Sequence, residues 1–525
     1  MWFKSNRKDT LRFQNRLIIF LALVKLIVPY LLQHPVYEPH RDEFLYLAEG
    51  THLAWGYLEV PPFLSLFSWL THLFGNSLFW IKFWPSMMGV FTFIFCAKIV
   101  QSLGGRAFAI LLTFLPFIFG AYLSLFFLFQ PNSPEVLFYT IMAYGIIRFI
   151  QTQKNRWLYV FGIAAGLGML SKYSIVFFIA SLLIGLLITN QRKIFANRHF
   201  YFAGILGFLI FLPNLWWQYQ HNFPLFIHMD ELKETQLKFN SPISFLQGQI
   251  LMNLPVFFVW IAGLYFVSFS ARAKKYRFLA ITYVLLLLFL IYFQGKSYYA
   301  LGIYPALFAM GAYYLESITD GRSKAWRYAM VAFPVFLGIL LLPVALPLFN
   351  PESLSNYYAS RKMEKYGILR WEDHKDHLLP QDFADMLSWR EMSDKVAAAW
   401  SSLSSEEKNR TIIIGGNYGQ AGALNYYGAQ SVLPEVYSTN GSFLLWWPTL
   451  GDFENIILVT DETDVMDKPY TKSFKSAFVF DKIENRFARE NGSLIVILKG
   501  ASAQTREGLR ELINSKKVMF TRQKK

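Results

Sequence analysis

Charge is scarce in this chain. Only 16% of its 525 residues are Asp, Glu, Lys or Arg, where a soluble domain carries roughly 25%, so much of its surface faces something other than water. Acidic residues are scarcest in the first two thirds: residues 1–349 hold 27 Lys+Arg against 12 Asp+Glu, while residues 350–525 hold 23 of each. The whole basic excess therefore lies in the apolar part. That makes nucleic-acid binding a poor reason for it, and basic cytoplasmic loops of a lipid-facing protein a good one. Cysteine is nearly absent. With Cys96 alone, inside an apolar run, no intrachain disulfide forms, and an exported domain would be held by its core. No internal repeat is visible. The first apolar run lacks a small-residue cleavage site after it, so it reads as a retained span rather than a removed signal.

What is abundant is hydrophobicity, with 54% apolar residues and 52 Phe. A helix needs about 20 apolar residues to cross a bilayer. Candidate spans are 17–33, 83–100, 107–129, 135–150, 157–170, 173–189, 199–213, 246–270, 278–293, 300–317 and 328–348, about eleven transmembrane helices in all. The pair 157–170 and 173–189 also reads as two half-spans meeting at Ser171-Lys172-Tyr173. With the amino terminus in the cytoplasm and sides alternating, 19 of the 27 basic residues fall inside and nine of the 12 acidic ones outside. The basic residues obey the positive-inside rule. The acidic ones need another reason, because topology places little demand on Asp and Glu.

The division expected is a transmembrane catalytic domain over 1–349 and an extracytoplasmic α/β domain over 350–525. In the second, strands are expected at 411–415, 455–460, 476–479 and 493–498, with helices over 382–400 and 420–426. Its Gly415-Gly416-Asn417-Tyr418-Gly419 run lacks G-x-G-x-x-G, and no nucleotide cofactor is expected. The basic tail from Lys516 is suited to anionic lipid.

Polar residues concentrate on the outer side. The first outer loop, 34–80, reads as two interfacial amphipathic helices and carries His40, Arg41, Asp42, Glu43, His52 and Glu59. Further points are Gln130 to Glu135, Ser171-Lys172-Tyr173, the stretch Pro213 to Asn222 with Gln218 and His221, and Gly295 to Tyr299 with Lys296 and Tyr298. Ionisable groups near hydrocarbon are functional candidates by default. Plainer readings stand beside that one: Lys172 snorkelling to the interface, Lys296 as a loop cation, Glu135 complementing a helix dipole, and the tryptophans as an interfacial belt.

Arg41-Asp42-Glu43, His52-Leu53, Gly56-Tyr57 and Pro61-Pro62 resemble the first outer loop of the GT-C membrane glycosyltransferases. The branch is the bacterial one grouped with the protein O-mannosyltransferases and the lipid A aminoarabinose transferase (glycosyltransferase family 39-like). The likeness continues at Phe129-Gln130-Pro131, Leu170 to Tyr173, Pro213 to Trp216, Gln220-His221, Gly295-Lys296, Asn417 to Ala421 and Tyr427-Gly428.

The resemblance implies an inverting transferase that takes a sugar from a polyprenyl phosphate at the extracytoplasmic face of the plasma membrane. It places the general base at Asp42, with Glu43 shaping its surroundings or touching the acceptor. Glu135 falls at a second acidic position, where the family more often has Asp. The chemistry asks for a carboxylate on the acceptor hydroxyl and for cations on the departing phosphate; Arg41, Lys172 and Lys296 supply these. His52, Glu59, Tyr173, Gln218, His221 and Tyr298 are the expected substrate contacts. The acceptor would be a lipid, a polysaccharide or a protein. No cofactor is firmly expected, although His40, Asp42, Glu43, His52 and Glu59 would offer ligands to a divalent metal. The rival is a transporter or flippase of lipid-linked sugars, which would more often show repeats and broken helices at the midplane.

Overall fold

The computed structural model describes residues 7–322, 324–428 and 433–522. Lys4 of the basic amino-terminal segment and the last three residues of the basic tail lie outside them. The chain divides into two compact units: 1–33, 82–214 and 230–348 in the first, and 34–81, 215–229 and 349–525 in the second.

The first unit is all helical. Five helices among the described residues are long and apolar enough to cross a membrane: Asp9–Leu32, Leu78–Leu103, Arg198–Gln220, Ala271–Tyr292 and Lys324–Ala345. Two further pairs pass only as bent spans, one kinked by 106° after Leu187 and one by 66° after Met252. The apolar run 107–129, expected as one span, is instead broken into Ala107–Phe114, a 3-10 turn and Ala121–Leu125. Gly120 makes the break, with φ of 100° that a side chain would strain; a Cβ there would also press on the Met252 carbonyl at 3.0 Å. The expected junction at Ser171-Lys172-Tyr173 is present, between helices Arg156–Met169 and Ile175–Leu187. A second difference concerns 213–222. Helix Arg198–Gln220 continues through Pro213 instead of ending there, and the chain reverses at Asn222 and Phe223, both at positive φ.

Lipid offers no hydrophobic drive for helices to associate, so close packing must hold them. Helices Phe257–Phe269 and Tyr304–Ile318 meet through Gly263 and Gly311. A Cβ on Gly263 would stand 2.0 Å from the Leu307 carbonyl, and neither position has room for a side chain.

The second unit centres on a five-stranded sheet, β1 (Thr411–Gly415), β2 (Val436–Tyr437), β3 (Asn455–Thr460), β4 (Phe474–Lys482) and β5 (Leu494–Ala501), in the order β2-β1-β3-β5-β4. β1 runs parallel to β2 and β3, whereas β5 is antiparallel to β3 and β4. The two-residue β2 carries too little pattern to be read from sequence. Over 382–400 a single helix was expected; Ser388, at φ of 70°, separates a short turn from helix Trp389–Ser401. The first outer loop forms helices Arg41–Thr51 and Phe63–Leu73, and the former packs on helix Tyr418–Gly428. Phe44 sits at that contact, edge-on to Trp389 and Tyr426. Gly422 lets the backbones approach, since a Cβ would fall 2.8 Å from Phe44.

Candidate functional site

Helix Arg41–Thr51 starts with a capping box: the His40 ring accepts from the Asp42 amide, and Glu43 accepts from the His40 amide at 2.7 Å. Glu43 is fully buried. Its carboxylate therefore anchors the start of the helix, one residue from the expected base. Asp42 Oδ1 accepts the Tyr418 hydroxyl at 2.7 Å, and the Arg41 guanidinium lies over the Tyr418 ring at 4.5 Å. Gly419 makes room for this, because a Cβ there would meet Arg41 Cγ at 2.6 Å. Arg41 Nε is a buried donor with no acceptor among the described residues, and leaving such a donor unmet costs about 1–3 kcal/mol.

Behind this group stands Asp385, 3.6 Å from His40 Nε2 and 3.3 Å from Arg489. Burial pushes Asp385 up to about 6, against the pull of His40, Arg489 and Arg41. For His40, burial disfavours the imidazolium, yet the nearby carboxylates of Asp382, Asp42 and Asp385 raise its proton affinity overall. Nδ1 is nonetheless held as an acceptor by the Asp42 amide, and a proton there would abolish the cap. Nε2 faces the Asp385 carboxylate at 3.6 Å.

On the same helix Glu49 is fully buried, and neither of its oxygens has a donor among the described residues. Burial and the neighbouring Glu59 raise its carboxyl far above the ordinary range. Glu59 accepts from the Ser442 amide at 2.8 Å and the Ser442 hydroxyl at 2.5 Å. Losing that hydroxyl leaves a carboxylate short of a charge-assisted bond. Ser442→Ala should cost about 1.5–3 kcal/mol, read as a lower unfolding midpoint in detergent. His52 caps the far end of the helix, stacked on Trp446 at 4.2 Å and 3.7 Å from Glu435.

In the first unit, Glu135 sits in the first turn of helix Asn132–Thr152, buried, where the helix dipole favours a negative charge. It also accepts the Ser174 hydroxyl at 2.5 Å and lies 3.4 Å from Lys172 Nζ. Lys172 donates to Asn132 at 2.6 Å and stands over the rings of Tyr299 at 4.2 Å and Tyr298 at 5.1 Å. It thus points inward and does not snorkel. Lys296, just before the 3-10 turn that carries the two tyrosines, is close enough to repel Lys172. Tyr173 donates to Asn214 at 3.1 Å.

Two expected contacts are used locally. Gln218 accepts from the Leu225 amide across the elbow, and His221 stacks on Trp217 at 4.0 Å. No group of three or more His, Cys, Asp or Glu is arranged for a metal among the described residues. In the outer loop Glu43 accepts from the His40 amide, Asp42 from the Tyr418 hydroxyl and Glu59 from Ser442. Sequence reasoning missed Tyr418 as the partner of Asp42, and also Asp385, Arg489 and Ser442. The Asn417 to Ala421 motif was the one signal that pointed near them.

Residues 59–217 match the family model described as dolichyl-phosphate-mannose-protein mannosyltransferase. That segment includes Glu59, Glu135 and Lys172 but begins after Asp42. A lipid A galacturonosyltransferase, RgtD of Rhizobium johnstonii, is 25% identical over 230 residues, which is 41% of this chain and 47% of that protein. The chain thus spans about half the length of this curated relative. Two structures of ArnT from Cupriavidus metallidurans, one bound to undecaprenyl phosphate and one in the apo state, each superpose with a TM-score of 0.58 at 14% identity. The bound form covers 92% of this chain and 97% of its own, and the apo form 93% and 98%. The apolar helices and the small carboxyl-terminal sheet accord with that likeness, and the chain is a helical membrane protein that shares the GT-C fold of ArnT.

Proposed function

We propose that this protein is an inverting glycosyltransferase, moving a sugar from a polyprenyl-phosphate donor to an acceptor hydroxyl at the extracytoplasmic face of the plasma membrane. The observation that carries this reading is the Arg41–Asp42–Tyr418 group. It holds an oriented carboxylate beside a buried guanidinium N–H that lacks an acceptor. In the reaction the acceptor oxygen bonds to the anomeric carbon as the bond from that carbon to the phosphate oxygen breaks. The hydroxyl proton passes to Asp42, and the electron pair leaves with the phosphate. Negative charge grows on that phosphate, and cations aimed at it lower the barrier. Arg41 is suited to a forked contact, and Lys172 and Lys296 to point-charge contacts.

Glu43 keeps Asp42 in place through the helix cap. Glu135 holds Lys172, and we propose His52 and Glu59 in one unit, and Tyr173 and Tyr298 in the other, as substrate contacts. The match to RgtD favours a lipid acceptor, and ArnT with undecaprenyl phosphate bound favours the donor class. The positive-inside count supports a cytoplasmic amino terminus and an extracytoplasmic carboxyl-terminal domain.

The test is transfer of radiolabel from polyprenyl-phosphate hexoses and pentoses to a membrane extract by the reconstituted protein. A labelled product supports the transferase. No product with any donor, together with label crossing the bilayer, would replace it with the flippase reading.

A further inference from the structure

Helix Arg198–Gln220 presents one apolar face along its length: Tyr201, Ile205, Phe208, Leu212, Trp216 and Tyr219 recur at helical spacing and are all exposed. From Tyr201 to Tyr219 the rise is about 27 Å at 1.5 Å per residue, close to the ~30 Å of hydrocarbon in a bilayer. The stripe ends in Trp216 and Tyr219, the residue types that collect at the headgroup level. Such residues stand where a spanning helix leaves the hydrocarbon.

The aromatic run does not stop there. Trp216 stacks on Tyr219 at 5.4 Å, Tyr219 meets Phe223 at 6.3 Å, and Phe223 meets Phe226 at 6.0 Å. Phe226 and Met229, one turn apart on the next helix, are 64% and 41% exposed. The end of the carboxyl-terminal helix Ala503–Met519 is attached to this run at two points. Asn222 donates to the Met519 carbonyl at 3.1 Å, and the Arg522 guanidinium lies 3.7 Å from the Tyr219 ring centre. Val518 and Met519 beside these contacts are 54% and 50% exposed. After Glu511 the sequence has no acidic residue, while Lys516, Lys517 and Arg522 are basic. Lys516 and Lys517 also bond to Thr439 and the Trp447 carbonyl, which fixes the helix end to the sheet domain.

From this we infer that the end of helix Ala503–Met519 is a second, non-spanning membrane attachment. It seats the α/β domain on the headgroup layer through Val518, Met519 and Arg522, and its ligand is anionic phospholipid. Apolar side chains beside a cation are what an interfacial element presents, and Arg522 lies directly over the ring of Tyr219 at the end of the stripe.

The test uses the full chain in nanodiscs, with a fluorophore on Val518→Cys and, as control, on Asp467→Cys, an exposed site on the same unit. Cys96 is fully buried, so the background label is checked on unmodified protein. Lipids carrying a nitroxide at the headgroup or the first acyl carbons act as quencher, with the phosphatidylglycerol share varied from none to one third. Quenching at 518 is expected to exceed that at 467 several-fold and to rise with phosphatidylglycerol. Arg522→Gln should weaken that rise by up to about fivefold, the effect of one basic residue near an anionic surface. Equal quenching at the two sites would overturn the attachment. Strong quenching at 518 that ignores phosphatidylglycerol would overturn the anionic-lipid assignment.

Discussion

Asp42→Asn should lower sugar transfer by at least ~100-fold, the low end for losing a general base, while leaving the protein folded. The fold should survive because the change keeps the shape of the side chain. An asparagine carbonyl still accepts the Tyr418 hydroxyl, and the helix cap uses the residue's amide and not its carboxylate. What disappears is the ability to take a proton. The measurement is label transfer by reconstituted wild type and variant, with unfolding midpoints compared in the same detergent. Transfer within a few-fold of wild type would remove Asp42 from the base role. Tyr418→Phe should fall less, since it frees the carboxylate without removing it, and an effect equal to that of Asp42→Asn would move the proton transfer to the phenol.

The second large effect concerns Lys172. Lys172→Met leaves the Glu135 carboxylate buried beside an apolar side chain, and breaking a buried pair from one side costs about 3–5 kcal/mol. A sharp drop in the unfolding midpoint is expected. The double variant Glu135→Gln with Lys172→Met removes both charges, and replacing both partners of a buried pair is often close to neutral. It should therefore recover most of the lost stability but not the lost transfer, because the Lys172 charge that would meet the phosphate stays absent. Thermal unfolding and label transfer measured on all four proteins separate the two roles. Full transfer by the double variant would leave Lys172 a purely structural cation; unchanged stability of Lys172→Met would mean that the Glu135 contact is not a buried pair.

Much of this protein was written locally. Long apolar runs identify spans because water excludes each helix for its own composition, and basic loops orient them one loop at a time. The strands at 411–415 and 455–460 show themselves through short β-branched runs, and Lys172 stands out as a cation in an apolar stretch. The polar groups around it on other helices, Glu135 and Tyr298, were visible for the same reason.

What the tertiary structure alone decided depends on partners far apart in the chain. Nothing near Asp42 announces Tyr418, 376 residues away; a phenol finds its carboxylate only once helix Arg41–Thr51 packs on helix Tyr418–Gly428. Glu43 was expected to shape the surroundings of Asp42 or to touch the acceptor, and its carboxylate lies in the helix cap, a role that the sequence alone does not separate from the other. The close approach at Gly120, where a Cβ would press on the Met252 carbonyl, joins residues far apart in the chain. Composition marked the runs that enter a membrane, because transfer of side chains between water and lipid is nearly additive along a sequence. Which side chains meet was decided by close packing, which is not additive.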